Sequence, residues 1–520
     1  MPRALPHDLS PGRFDAALRS FEGVVGKPWV LSGEEDLVPY ADAYGLASPG
    51  DHAPSAVVAP ASAEEVQAIM RLANQHRTPL WPISRGKNYG YGGAAPRMAG
   101  TVILDLGRMR RILEVDVARG YCLLEPGVSF YDLYDHLIAN RIPLWASTPG
   151  NALGSVVGNA LEHGLGYTTT GDRAANVCGL EVVLPTGELV RTGMGAMTGN
   201  PCWNLYKYSY GASFDQMFMQ SGLGVVTKMG CWLMPEPDAA LELKMEVPNE
   251  EDIGWVIEAL APLRMSGVVQ SPINIGNFMR VIMASSQRDQ WHRGQGAIPD
   301  AMFPEIMKKY GLGWWGVGLM LYGDPDVVRA QAAQVKRAFA QHTPQPFQET
   351  WWRRGEPRPP GPTHGVPISF PLRIANWAGP NGGHLGFSPI LPPERGVILE
   401  QLKRARALFR DFGFDFYGGF TLGERHVNQV NMLAYAKDDP DMVRRARGLF
   451  EALMRDAKGR NFGEYRSHLS YMDAVAETYD FNGHALQRLN ETVKDALDPN
   501  GVLAPGKQGV WPKRYRGKRT

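Results

Sequence analysis

Ile83-Ser84-Arg85-Gly86-Lys87-Asn88-Tyr89-Gly90-Tyr91-Gly92-Gly93 places four glycines, at 86, 90, 92 and 93, directly behind an apolar run, Pro79-Leu80-Trp81-Pro82-Ile83. The run reads as a short buried strand. Glycine tolerates positive φ and close backbone approach, so bare N–H groups can face an anion. Arg85 and Lys87 add positive charge, and Tyr91, between two glycines, is free to project into a cavity. The segment serves either as a pyrophosphate cradle with one aromatic aimed at a substrate or as an ordinary glycine-rich turn. Spacing alone does not choose between them.

The flanks build a small α+β unit around it. Ala56–Ala59 reads as a strand, and Ser62-Ala63-Glu64-Glu65 as a capping box with Ser62 at the N-cap. Val66, Ile69, Met70 and Ala73 then repeat at helical spacing, and Val102–Leu106 gives the next strand. Tyr121–Leu124 is a further strand, and Ser129 caps a helix over Phe130–Ala139. Near the start, Phe14, Ala17, Leu18 and Phe21 mark a short amphipathic helix. A second small-residue stretch, Pro149-Gly150-Asn151-Ala152-Leu153-Gly154-Ser155-Val156-Val157-Gly158-Asn159-Ala160, lets backbone pass close to a flat ligand. Leu180–Leu184 and Leu189–Thr192 flank Pro185-Thr186-Gly187 as a hairpin. Pro235-Glu236-Pro237 breaks the chain, and a domain boundary is placed there.

Beyond it the texture changes. Strands are expected at Leu241–Val247, Gly313–Tyr322, Phe414–Thr421 and Gln429–Tyr435. Helices are expected at Glu250–Leu263, Val327–Phe339, Glu394–Phe412 and Met442–Ala457. The proline-rich Thr343–Pro367 reads as an extended loop. This is a second α+β domain, with an antiparallel sheet and helices on one face. A last helix, Ala485–Leu497, ends at the turn Asp498-Pro499-Asn500-Gly501.

Composition narrows the function. A chain of 520 residues suggests two to four domains. A net charge of +1 gives no footprint for nucleic acid, and the basic end Lys513–Arg519 reads as a solvated tail. The four cysteines form no CxxC pair, so neither a disulfide framework nor a zinc site is expected. The histidines show no metal-ligand spacing, and no metal is expected. With no signal peptide or apolar span, the chain is expected to be soluble and cytoplasmic. High glycine, proline and tryptophan counts (59, 40 and 13) fit an enzyme with an enclosed, aromatic-lined pocket better than a helical scaffold.

Common nucleotide and hydrolase motifs are absent. Gly501-Val502-Leu503-Ala504-Pro505-Gly506-Lys507 has P-loop spacing but lacks the following Ser or Thr and precedes no helix. No Rossmann GxGxxG, HExxH or GxSxG occurs. Two other segments remain open. His384 lies among glycines in Gly382-Gly383-His384-Leu385-Gly386, as a ligand-facing residue or a turn histidine. Tyr465-Arg466 pairs a phenol with a guanidinium, suited to a small oxyanion but equally at home on a surface strand.

Together these stretches resemble the vanillyl-alcohol oxidase and p-cresol methylhydroxylase flavoproteins, nearest the histidine-linked 4-alkylphenol oxidases. The likeness runs from about His52 to Pro512, through Gly86–Pro96, Gly158–Thr168, Arg191–Gly195, Gly463–Asp473 and Asp498–Pro512. It implies an α+β fold with a two-part FAD-binding domain over residues 1–237. It also implies a cap domain with an antiparallel sheet over 238–460 and a segment over 461–520 that returns to the first domain. Tyr91, Tyr465 and Arg466 are similar to the family's phenol-binding residues. His384 is similar to the histidine bonded covalently to FAD. Cofactor contacts are expected from Ser84, Arg85, Gly86, Lys87, Asn88, Gly90, Pro149, Gly154, Ser155, Gly158, Asn159, Gly166, Val226 and Lys507. In the methylhydroxylase branch a tyrosine carries the flavin, but the corresponding Ile374-Ala375-Asn376-Trp377 has none. One departure stands out: the oxidases carry Asp-Leu-Gly-Gly-Gly-Ser with the aspartate near the flavin, where this chain has Gly150-Asn151-Ala152-Leu153-Gly154-Ser155.

The resemblance implies oxidation of para-substituted phenols by hydride transfer to flavin N5 through a p-quinone methide. The substrates would be 4-alkylphenols, 4-hydroxybenzyl alcohols and lignin-derived relatives. The acceptor is O2, giving H2O2, or a cytochrome c in the methylhydroxylase manner. A homodimer or larger homo-oligomer is implied, with no nucleic-acid or membrane partner. His52 either assists flavin attachment or is structural.

Overall fold

The computed structural model describes residues 4–48 and 50–518 of the chain. Three sheets carry it. The first holds Val30–Leu31, Ala56–Val58, Val102–Asp105 and Leu80–Ile83 in that order, its last three strands parallel. The helix Ala63–His76 crosses between two of them, starting where Ser62 Oγ accepts the Glu65 N–H at 3.2 Å. Only half of the expected capping box forms: the Glu65 carboxylate takes the Ala61 N–H instead, at 2.7 Å. Phe14, Ala17, Leu18 and Phe21 are all buried and seat the helix Pro11–Val25 in this core. Val502–Ala504 join the same core, with Leu80 N–H donating to Val502 O at 2.7 Å.

The second sheet is antiparallel, in the order Ile112–Asp116, Tyr121–Leu124, Val225–Trp232, Val177–Val183 and Leu189–Arg191. Ser129 and Asp132 form a complete capping box for the helix Phe130–Ala139 beside it.

The third sheet has eight antiparallel strands. Its path runs Gln348–Arg353, Ala239–Val247, Trp315–Gly323, Ile273–Asn277, Tyr417–Leu422, Val427–Ala436 and Gly382–Phe387, with Ile390–Leu391 also paired to Val427–Ala436. The helices Ile253–Met265, Pro325–Ala340, Arg395–Asp411 and Pro440–Lys458 bury their apolar stripes against one face. Three expectations need correction. Gln348–Arg353 is an edge strand inside the segment read as loop, because six residues free of proline, two of them tryptophans, can pair with Ala239–Val247. Helices are not confined to one face: Phe278–Ser285 packs Met279, Ile282 and Met283 with Ala434, while Leu433 and Tyr435 face the other way. The basic end is not a free tail within the described residues, since Tyr515 is 1% exposed and Arg516 pairs with Glu491 and Asp495. Arg519 lies outside the described residues.

Candidate active site

A cavity of about 380 Å³ lies where the three sheets converge, a size usual for small-molecule sites. The glycine loop forms one side. Gly86, Gly90, Gly92 and Gly93 all have positive φ. At Gly92 the requirement is also steric, because a Cβ there would lie 2.2 Å from Leu469 Cγ. The Pro149–Asn159 stretch forms the facing side, and the two loops touch. A Cβ on Gly158 would sit 2.3 Å from Ser84 Oγ, and Asn151 Nδ2 donates to Lys87 O at 3.0 Å.

Of the cofactor contacts read from sequence, Ser84, Gly86, Lys87, Asn88, Pro149, Gly154, Ser155, Gly158, Asn159, Val226 and Lys507 line this cavity. Three do not. Arg85 turns its guanidinium to Gly127 O at 3.1 Å and Asp132 at 3.5 Å, so its charge is withdrawn from the cradle. Gly166 is pressed against Ser147 and Arg173. Gly90 backs onto His384, where an added Cβ would be 2.8 Å from Nε2.

Tyr91, Tyr465 and Arg466 all line the cavity. The Arg466 guanidinium lies 4.2 Å from the Tyr91 ring centre and donates through Nη2 to Asn88 Oδ1. Its Nε is buried with no hydrogen-bond partner. Burial pulls the guanidinium's pKa down, but Tyr91, Tyr465 and Glu162 outweigh it and hold the group above its ordinary value. Burial pushes both phenols up, with Arg466 pulling the other way, so Tyr91 and Tyr465 stay protonated at neutral pH. Ser388 hydrogen-bonds Tyr91, and Gln220 Nε2 donates to Tyr465 O at 2.9 Å. Two phenol hydroxyls and a buried guanidinium thus border one cavity, with Tyr465 hydrogen-bonded to Arg466.

His384 sits on the strand Gly382–Phe387, 2% exposed, behind the glycine loop and outside the cavity lining. Burial lowers its pKa to about 4, and its Nδ1 has no partner. Tyr44 packs on it at 5.0 Å between ring centres. Nearby, His468 Nε2 meets Asp42 at 2.6 Å, and His52 bridges Arg97 O and Ser470 Oγ, each at 3.0 Å.

The far wall went unread in the sequence. Tyr167, Ser388, Thr421, Asn428 and Val430 line the cavity, four of them from the eight-stranded sheet or its edge. The strand expected at Gln429–Tyr435 begins two residues earlier, at Val427, and its Asn428 and Val430 line the cavity. Among the described residues no cluster of His, Cys, Asp and Glu suits a metal ion. Nor, among them, is any helix long and apolar enough to cross a membrane.

The donor set fits a flavin dinucleotide: two close-packed glycine-containing loops, Lys507 on the cavity wall where it pairs with Glu162, and a buried Asn159 Oδ1 without a protein partner. Comparison with known proteins agrees. An FAD binding domain model matches residues 54–193, and a model of the FAD linked oxidases' C-terminal domain matches 363–508. The 4-cresol dehydrogenase flavoprotein subunit of Pseudomonas putida is 33% identical, with 97% of each chain covered. The 4-ethylphenol oxidase of Gulosibacter chungangensis superposes with a TM-score of 0.93 at 33% identity, covering 98% of this chain and 100% of that one. The crystal structure of p-cresol methylhydroxylase also gives 0.93, at 32% identity, covering 98% and 99%. This chain is therefore an FAD-dependent oxidoreductase that belongs to the vanillyl-alcohol oxidase and p-cresol methylhydroxylase family.

Proposed function

We propose that the protein oxidises para-substituted phenols, 4-alkylphenols and 4-hydroxybenzyl alcohols among them. The observation carrying this reading is the convergence of Tyr91, Tyr465 and Arg466 on one cavity with Arg466 Nε unpaired. A free phenol ionises near pH ~10. The guanidinium and two protonated tyrosines stabilise the phenolate and lower that value, through charge-assisted hydrogen bonds in a site shielded from bulk water. Electron density then moves to the para carbon, and loss of a benzylic hydride leaves a p-quinone methide. FAD bound in this cavity supplies the hydride acceptor. Water adding to the quinone methide gives an alcohol, and loss of a further proton gives an alkene. A 4-hydroxybenzyl alcohol gives the aldehyde.

Ser84, Gly86, Lys87, Asn88, Ser155, Gly158, Asn159, Val226 and Lys507 would hold the cofactor. His384 is the proposed point of covalent attachment: its ring is held neutral, one nitrogen is unpartnered, and the other faces Gly90 of the glycine loop. O2 is the proposed final acceptor, giving H2O2. A second reading, transfer to a cytochrome c, draws on Gly150, which lines the cavity without a carboxylate. Identity does not separate the two, at 33% to both the oxidase and the dehydrogenase subunit. Assembly into a homodimer or larger homo-oligomer is part of the proposal, to be checked by light scattering.

Arg466→Ala tests the phenolate pocket. It should retain FAD and reduce it at least about a hundredfold more slowly with a 4-alkylphenol, the scale seen when an oxyanion-binding donor is removed. Reduction at the wild-type rate would refute the pocket assignment.

A further inference from the structure

The strand Val427–Ala436 has two unlike faces. Val427, Leu433 and Tyr435 enter the core beneath the helices, with Gln429 and Asn431 buried on the same face, whereas Asn428 and Val430 line the cavity. A wall that had only to hold an alkylphenol ring would be apolar throughout, as Val430 is. Asn428 is instead an amide, 3% exposed, and its Oδ1 meets no hydrogen-bond partner. Directly across the ladder stands Thr421, 4% exposed and on the same cavity wall. A buried amide left unpaired is costly, and of the three amides of this strand with unpaired atoms, Asn428, Gln429 and Asn431, Asn428 alone lines the cavity. The cavity is the place where a ligand atom could complete it.

We propose that Asn428 and Thr421 bind a second oxygen of the substrate, apart from the phenolic OH, and so select among para-substituted phenols. This rests on the phenol-oxidation reading above. The unpaired Oδ1 only accepts, so a substrate hydroxyl is what completes it, while the Asn428 N–H groups and the Thr421 hydroxyl can donate to a hydroxyl, methoxyl or carbonyl oxygen. Neither group ionises in the working range, so no buried charge has to be compensated when the oxygen is missing. A site built to hydrogen-bond a polar group discriminates against the analogue lacking it far more sharply than an apolar wall discriminates by size. The oxygen could sit on the ring beside the phenol or on the para side chain. The chemistry is the same, and the choice of substrates separates the two.

The test compares kcat/KM for 4-ethylphenol, 4-ethyl-2-methoxyphenol and 4-(1-hydroxyethyl)phenol in the FAD-loaded wild type, Asn428→Leu and Thr421→Val. The quantity read is the ratio of each oxygenated phenol to 4-ethylphenol, whatever happens to the absolute rates. One of the two ratios should fall about tenfold or more in Asn428→Leu, chiefly through KM. Thr421→Val should lower the same ratio, and it keeps the test open if the leucine variant does not fold. The ratio that falls identifies the ring or the side chain as the oxygen's position. Ratios unchanged in an enzyme that does oxidise these phenols would overturn the role of Asn428 and Thr421 alone. A wild type that oxidises none of the three would overturn the phenol reading and this one with it.

Discussion

Arg466 leaves its Nε buried and bare while Nη2 is held by Asn88. Tyr465 hydrogen-bonds the same guanidinium, and a phenolate oxygen in the cavity that Tyr91 and Tyr465 line would add a charge-assisted partner. Tyr465→Phe should therefore slow flavin reduction by a 4-alkylphenol while leaving the bound flavin spectrum intact, as stopped-flow absorbance would show. Equal rates for the two proteins would remove the Tyr465 hydroxyl from the phenolate site. His52 gives a prediction of a different kind. Burial, with His468 and Arg97 adding to it, lowers its pKa to about 4 from the usual 6.5. The unfolded chain thus takes a proton below about pH 6.5 that the folded chain refuses until about pH 4. Stability is lost as pH falls through that window, by up to ~1.4 kcal/mol per pH unit. His52→Gln lacks this penalty, so the variant should gain melting temperature relative to wild type between pH 6.5 and 4.5. A constant difference across that range would contradict the assignment. Tyr91 and the Tyr465-Arg466 pair were legible in the sequence as chemistry-bearing residues, but nothing local said that they share a cavity. Asn88 and Arg466, now hydrogen-bonded, are 378 residues apart along the chain.

At the scale of elements, the glycine loop was legible because each glycine answers a geometric demand. Gly90 has φ 82° and no room for a methyl against His384, whereas Gly93 has φ 60° and its nearest neighbour, Gly86 O, at 3.6 Å from an added Cβ. Both substitutions to alanine incur backbone strain of about 1 kcal/mol or more. Only Gly90→Ala should also push the His384 ring. On the covalent reading, Gly90→Ala should lower the fraction of flavin that stays with the protein after acid precipitation, and Gly93→Ala should not. Equal retention in both would argue against His384 as the attachment point. Arg85 was expected at the cofactor because charge beside a glycine loop suggests a phosphate contact, whereas its guanidinium meets Gly127 O and Asp132. The strand Gln348–Arg353 was hidden by the prolines around it, and Asn428 by lying just before the stretch Gln429–Tyr435 from which the next strand was read.

Across the whole molecule, the end of the chain is tied back to the first core. Lys494 Nζ, 1% exposed, donates to Gly222 O at 2.7 Å and Leu503 O at 2.5 Å, and pairs with Asp498 at 2.9 Å. Asp498 in turn accepts the Val502 and Leu503 N–H groups, each at 2.9 Å. This knot holds Ala504 and Lys507 at the cavity wall. Lys494→Met would leave a buried carboxylate uncompensated, which costs about 3–5 kcal/mol. A marked drop in melting temperature and weakened FAD retention are expected. A variant as stable as wild type would show that the knot is dispensable. The α+β architecture was readable from strand and helix periodicity, whereas the order of strands in the eight-stranded sheet was not. Its neighbours are fixed by side-chain packing between segments far apart in sequence.

The most direct measurement is to mix the FAD-loaded protein anaerobically with a 4-alkylphenol, follow the flavin absorbance, and then admit air. Bleaching on mixing is the expected result, with rapid recovery in air if O2 is the acceptor and slow recovery if a cytochrome is. Absence of bleaching with every para-substituted phenol tried would contradict the account, because Tyr91, Tyr465 and Arg466 would then serve some other substrate.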